Sequence, residues 1–245
     1  MDVSFIVPAL NEEKYIEKTL RSISRQKTDR DFEIIVVDGG STDRTAEIAR
    51  KYGKVLPQKG KGIAAARNQG ADAAGGKLLV FVDADTYLPR SYLQKVWNHM
   101  KRTDVVALTA RIKYGRKGGR LIRIAEKISD EFNRLCSDLG RARLTGVNIA
   151  VWKWAFEKAG KFPEVPSEDV AFSRAMTRMG KIEYYTGTHV ISHPRRFDGP
   201  DRMLDTVVYY LLRDIITALE TSNDRRIREL GKDLEEKVGK YRPIR

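Results

Sequence analysis

Apolar and polar positions follow two rhythms along the first hundred residues, and the switching between them predicts strands followed by helices. Residues 3–7 are a short β-branched and aromatic run closed by Pro8. Behind it, Asn11 can cap a helix whose first turn carries Glu12 and Glu13 and whose apolar face holds Ile16, Leu20 and Ile23. Residues 33–37 repeat the strand pattern, and Ser41, Thr42 and Asp43 open a helix that Gly53 can end. A short third strand is predicted at 54–56, an alanine-rich helix at 63–74 and a fourth strand at 78–82. Pro89 then opens a helix carrying Leu93, Val96, Trp97 and Met100. Near-continuous apolar strands separated by helices fit a parallel sheet covered on both faces, so the pattern predicts an α/β fold.

The second half of the 245-residue chain changes character. Residues 111–123 hold six basic residues, three glycines and no acid. Residues 121–139 then place Ile124, Ile128, Phe132 and Leu135 at helical spacing. A strand-like stretch at 144–151 precedes short helices, and two last helices are predicted at 202–220 and 224–238. With no clean linker and no repeat, the chain reads as one α/β domain over 1–200 with a helical appendage at 201–245.

Composition narrows the partners. A hydrophobic share of 41% and a charged share of 32% exclude a disordered chain. The net charge of +13 points to an anionic partner: nucleic acid, an acidic membrane surface or a phosphorylated substrate. The single cysteine, Cys136, excludes an internal disulfide and a cysteine-cluster zinc site, and it fits a reducing compartment. The start, Met1-Asp2-Val3, predicts no secretory leader. The apolar stretch at 203–219 is interrupted by Asp205, Arg213 and Asp214, which predicts a soluble or peripheral protein rather than a spanning helix.

Candidate chemistry sits where strands end. Ligands of an open parallel sheet bind beyond the carboxyl ends of its strands. Here Glu12 follows the first strand, Asp38 ends the second, and Asp83 and Asp85 end the fourth. Parallel strands would bring all of these to one edge. Asp83-Ala84-Asp85 is the sharpest local element: a slight turn would let one carboxylate reach a metal and the other a sugar hydroxyl. Hard oxygen donors suit Mg²⁺ or Mn²⁺, which complete their shells with phosphate oxygens and water. The first loop lacks the G-x-G-x-x-G of a dinucleotide dehydrogenase, and Lys59-Gly60-Lys61-Gly62 lacks the spacing of a P-loop. A nucleoside-diphosphate site built on a metal remains.

In order along 3–197, these segments resemble the family 2 glycosyltransferases with the GT-A fold. Residues 3–13 resemble the opening strand and its Pro-x-x-Asn-Glu loop, VVDGGSTDRT (36–45) the second-strand motif, and GIAAARNQG (62–70) the Ala-Arg-Asn-x-Gly helix. Residues 80–86 carry the Asp-x-Asp motif. TGVNIAVWKWAFEKAGKFPE (145–164) is similar to the acceptor-side segment, and 167–180 to the Glu-Asp helix. The resemblance implies a GT-A type, mostly parallel Rossmann-like sheet with helices on both faces, with a nucleotide-binding half over about 1–112 and an acceptor-binding half over about 113–200. It implies inverting transfer from a UDP- or GDP-sugar to an acceptor hydroxyl or phosphate, lipid-linked acceptors included, with Mn or Mg as the divalent metal.

By the same resemblance, Pro8, Glu12 and Asp38 line the nucleobase pocket and Arg67 assists there. Asp83 binds ribose, Ala84 lies between the two acids, and Asp85 holds the metal. Arg111 meets the diphosphate or the donor sugar, with Arg195 and Arg196 as further helpers. Asp169 is the catalytic base, Glu168 serves binding, and His193 is a second metal ligand. Two positions depart from the family's pattern: Gly39 stands where a second Asp is common, and Ala171 where an acid often follows the base. His99 reads as structural.

Two rival readings are a sugar-phosphate nucleotidyltransferase and a basic nucleic-acid-binding module. Against the first, the opening loop is acidic at Glu12 and Glu13. Against the second, the basic block has only Tyr114 as an interleaved aromatic. The implied place of action is the cytoplasm, including the inner face of the cell membrane. There the basic block and the amphipathic stretches 121–139 and 203–219 would rest on anionic lipid; the same apolar faces equally suit burial on the sheet or in a homo-oligomer.

Overall fold

The computed structural model describes residues 1–114, 120–165 and 168–193, with short runs between 216 and 234. Four strands, β1 (Val3–Ala9), β2 (Phe32–Asp38), β3 (Lys54–Pro57) and β4 (Leu78–Val82), lie parallel in the order β3-β2-β1-β4. The sheet continues beyond β4 through β7 (Asn148–Trp152), β6 (Val105–Tyr114), β8 (Lys181–Ser192) and β5 (Thr86–Tyr87). Here the β4–β7, β6–β7 and β5–β8 pairs are antiparallel. Parallel strands need long crossovers, and the helices α1 (Ile16–Ser24), α2 (Thr45–Ala49) and α3 (Gly62–Asp72) supply them. The remaining helices are α4 (Tyr92–Arg102), α5 (Arg120–Asp138), α6 (Lys153–Lys158) and α7 (Glu168–Met176).

Every residue of β4, LLVFV, is buried because core packs on both faces of the sheet. One core gathers Leu20, Leu93, Val96 and Trp97 from α1 and α4 over Val3, Phe5 and Val80. The other sets the alanines of α3 and the aromatics Phe156, Phe162 and Phe172 over Ile6, Ile35 and Phe81. The alanines bring α3 close to the sheet; at Gly70 even a Cβ would overlap the Ile6 side chain.

Some predicted boundaries move for physical reasons. Asn11 does not cap α1, which starts at Ile16 with no side-chain cap. Its backbone is left-handed, φ +54°, and its side chain is spent on the second loop. Gly53 is not a left-handed cap; a Cβ there would collide with the Ile34 carbonyl. Phe172 and Met176 face inward on α7, and Met179 lies past the helix end. Arg111 lies inside β6. Ser167, Arg195, Arg196 and nearly all of the predicted helices at 202–220 and 224–238 lie outside the described residues.

The chain divides into two compact units, one of Met1–Lys113 with Ala142–Ser192, the other of Tyr114–Arg141 with His193–Arg245. The second contains α5, on which Ile124, Ile128 and Leu135 are exposed, as is Leu139 just beyond. Among the described residues no helix is long and apolar enough to cross a membrane.

Candidate active site

The parallel register puts the carboxyl ends of β1, β2 and β4 on one edge, Pro8 beside Val37 and Ala9 beside Asp38. The two loops that leave β1 and β2 are laced together. The Asn11 amide donates to Ser41 Oγ at 2.9 Å, the Thr42 amide to Asn11 Oδ1 at 2.9 Å, and the Glu12 amide to Thr45 Oγ1 at 2.7 Å. These bonds bury Glu12 at the rim of the edge. Asp38 accepts the Ser41 amide on Oδ2 at 3.2 Å, while its Oδ1 is buried with no hydrogen-bond partner. A buried acceptor without a donor costs free energy, so this oxygen suits a ligand N–H.

At the end of β4 the chain turns, with the Thr86 amide donating to the Asp83 carbonyl at 3.1 Å. Ala84 is buried, and its carbonyl accepts Thr19 Oγ1 at 2.7 Å, which anchors the doublet to α1. Asp85 is 8% exposed. The Tyr87 phenol is held above its ordinary range, first by burial and then by the Asp85 carboxylate. Among the described residues no three His, Cys, Asp or Glu side chains gather into a metal cage. The donors at this turn are carboxylate oxygens, the set that leaves most of a Mg²⁺ or Mn²⁺ shell to phosphate and water, so they fit such an ion. His193 falls in the second unit.

Arg67, expected to assist at the nucleobase pocket, makes hydrogen bonds to protein oxygens. It lies on α3, 1% exposed, with its guanidinium 5.3 Å from the Phe162 ring centre. Nη1 donates to Glu168 Oε1 at 2.7 Å. Nη2 donates to Asp83 Oδ1 at 3.2 Å and to the Gly146 carbonyl at 2.9 Å. The Gly146 amide in turn donates to Asp169 Oδ2 at 3.2 Å. One buried cation thereby joins the end of β4 to the first residue of α7. Breaking a buried ion pair costs about 3–5 kcal/mol, because the partner charges lose their compensation.

Asp169 stands in the first turn of α7, behind Glu168. Ser173 Oγ donates to the Asp169 carbonyl at 2.6 Å, and it accepts the Leu144 amide at 2.9 Å. The segment 144–146 therefore grips both the main chain and the carboxylate of Asp169. Arg111, half-buried on β6, helps Lys113 lower the pKa of His189, after burial as the first cause. His99 stacks on Tyr185 at 4.2 Å between ring centres and bonds Glu183 Oε2 at 3.0 Å, outside the strand-end edge.

Several residues here carried no role in the sequence reading. Asn148 is fully buried on β7, accepting the Ala110 amide at 2.8 Å and donating to the Ala110 carbonyl at 3.1 Å. Gly146 admits the Arg67 fork, since a Cβ there would lie 2.7 Å from Nη2. Its one sequence signal was a glycine inside the acceptor-side motif.

Known proteins share this architecture. The chain is 42% identical over 109 residues to the uncharacterized glycosyltransferase EpsJ of Bacillus subtilis, covering 42% of the chain and 31% of EpsJ. It is 27% identical over 206 residues to glycosyltransferase AglE of Haloferax volcanii, covering 79% of the chain and 67% of AglE. Among solved structures, the mannosyltransferase PcManGT from Pyrobaculum calidifontis, in complex with GDP-Man and Mn²⁺, superposes with a TM-score of 0.71 at 20% identity. That superposition covers 96% of this chain and 69% of PcManGT and identifies the GT-A fold. The chain spans less than a third of the length of the first curated relatives it matches. The profile of Glycosyl transferase family 2 matches residues 4–158, more than half of the sequence, and the chain belongs to that family.

Proposed function

We propose that the protein is a metal-dependent glycosyltransferase that moves a sugar from a nucleoside-diphosphate sugar to an acceptor hydroxyl or phosphate with inversion. The observation that carries the reading is the hydrogen-bonded chain from Asp83 through Arg67 and Gly146 to Asp169. It ties a donor-side carboxylate to a candidate base drawn from another part of the sequence. Solved relatives with this fold bound to UDP, UDP-GlcNAc, or GDP-Man with Mn²⁺ support the class of donor.

In this reading Pro8, Glu12 and Asp38 hold the base, and the orphan Oδ1 of Asp38 accepts its N–H. Asp83 takes the ribose. Asp85 holds the divalent ion, which when bound neutralises charge on the diphosphate leaving group. Arg111 faces the diphosphate or sugar, and the family resemblance carries His193 as a further metal ligand. Asp169 takes the acceptor's proton as the hydroxyl attacks; among the described residues no nucleophile with an orienting base is evident, which favours one direct displacement. Family membership sets the nucleotidyltransferase and nucleic-acid readings aside. Residues 1–112 supply the donor half, 113–200 the acceptor half and 201–245 an appendage. The exposed apolar stripe of α5 supports work beside an anionic membrane on a lipid-linked acceptor.

The test is Asp169→Asn, which keeps shape while removing the proton acceptor. Turnover should fall by at least ~10²-fold, with UDP or GDP affinity retained by calorimetry. If Glu168→Gln is the inactive variant and Asp169→Asn turns over normally, the base has been misassigned. Calorimetry of UDP and GDP in Mn²⁺ and in EDTA tests the metal; equal affinity in both, or a metal dependence that survives Asp85→Ala, overturns that assignment.

A further inference from the structure

We infer that Arg67 is a positioning residue that acts on transfer through Asp169 rather than through the nucleotide. The inference rests on Asp169 being the base. Arg67 is 1% exposed; protein oxygens take Nη1 and Nη2, while Nε is buried with no hydrogen-bond partner among the described residues. Its fork spans three elements at once: Asp83 after β4, the Gly146 carbonyl before β7, and Glu168 at the start of α7. The Phe162 ring lies under it, and the missing Cβ of Gly146 makes room for Nη2.

Two routes lead from the fork to the candidate base. Through the main chain, Gly146 offers its carbonyl to Arg67 and its amide to Asp169 Oδ2, so the residue that Arg67 holds is the residue that aims the carboxylate. Through the helix, Arg67 pins Glu168, the immediate neighbour of Asp169. Ser173 closes the arrangement by tying the Asp169 carbonyl to Leu144. Asp169 is thus registered against the 144–146 segment, and that segment against Asp83 on the donor side. Transfer needs base, acceptor oxygen and sugar carbon in near-attack geometry, where a shift of about 1 Å can cost 10²-fold. Lysine at 67 would keep the charge but replace a planar fork by a point donor on a flexible stem.

The experiment is a cycle on the full chain: wild type, Arg67→Lys, Asp169→Asn and the double variant. Turnover is read as release of UDP or GDP from UDP-glucose, UDP-GlcNAc and GDP-mannose. UDP and GDP affinities are read by calorimetry with Mn²⁺. Arg67→Lys should lower turnover about 10–100-fold. Its nucleotide Kd should move by less than about threefold, and the same change should cost nothing further on the Asp169→Asn background, as for residues that act as a unit. An equal further loss in the double variant overturns the inference, as does a Kd that weakens in step with turnover. Full turnover by Asp169→Asn alone would instead sink the functional reading beneath it. Should Arg67→Lys fail to fold, Glu168→Gln runs through the same cycle with the same expected pattern, because it keeps the guanidinium and weakens one of its anchors.

Discussion

The parallel half of the sheet, β3-β2-β1-β4, meets its edge with loops that hold one another, Asn11 to Ser41 and Thr42, and Glu12 to Thr45. Each loop follows directly on its own strand, so the edge is assembled from short segments whose place the strand register already sets. The antiparallel half is put together differently. There, single side chains hold the main chain, Asp169 taking the Gly146 amide and Asn148 both backbone groups of Ala110, in place of a set of bonds shared between two loops. The difference teaches where the molecule is vulnerable. A lost bond between loops is shared among several neighbours, whereas a lost side chain at Arg67 or Asn148 removes several hydrogen bonds at once.

The sharpest way to break this contrast is Arg67→Ala. It removes the bonds to Asp83, Glu168 and the Gly146 carbonyl and should cost about 3–5 kcal/mol of unfolding free energy. Urea denaturation followed by circular dichroism reads it; a loss under about 1 kcal/mol would show that the two halves are joined by other means. Asn148→Ala comes next. It removes both bonds to the Ala110 backbone and should cost about 2–3 kcal/mol on the same curve. A near-neutral result would mean water takes its place and the antiparallel half is no more fragile than the other.

Gly70→Ala probes the parallel half. The added methyl overlaps Ile6, so overpacking should cost about 1–2 kcal/mol, seen as a lower urea midpoint. Asn11→Ala tests the lacing itself. An alanine held at φ +54° and stripped of the Thr42 bond should cost about 1 kcal/mol, and Asn11→Gly should recover part of it. A loss as large as that of Asn148→Ala would erase the contrast between shared lacing and single side-chain anchors.

The smallest effect is a pH dependence confined to the antiparallel half. Burial, then Lys113, Arg111 and Lys95, depress the folded pKa of His189 below its ordinary value. The unfolded chain therefore binds a proton that the folded chain resists. His189 contributes fully above its ordinary pKa of about 6.5 and loses its contribution as pH falls below it. Between about pH 7.5 and 5.5 the melting temperature of the wild type should fall more than that of His189→Gln. Identical slopes would remove His189 from the account.

Much of the parallel half was legible because its signals are local. The run LLVFV reads as a doubly covered strand wherever it is met, and a strand end places Asp38, Asp83 and Asp85 without any tertiary contact. The apolar face of α4 was readable from Leu93, Val96, Trp97 and Met100 alone. Cap assignments failed where a polar side chain had a partner outside its own helix. Asn11 has the composition of an N-cap, yet Thr42 claims its oxygen. Gly53 has the position of a C-cap, yet it serves the Ile34 carbonyl.

The amino-acid order by itself determined the alternation of strands and helices, the single edge on which the carboxylates fall, and the family signature over 4–158. These depend on side-chain periodicity and on the fixed direction of parallel strands, both of which act within a few residues of themselves. Only the tertiary structure decided that β7 and β6 extend the sheet in antiparallel fashion with β8 and β5 beyond them, that Asn148 stitches β6 to β7, and that Arg67 turns to Asp83 and Glu168. A guanidinium carries no mark in sequence of which carboxylate it will meet. That choice is made by the desolvation of α3 against the sheet, which leaves the buried charge only the partners that packing brings within about 3 Å.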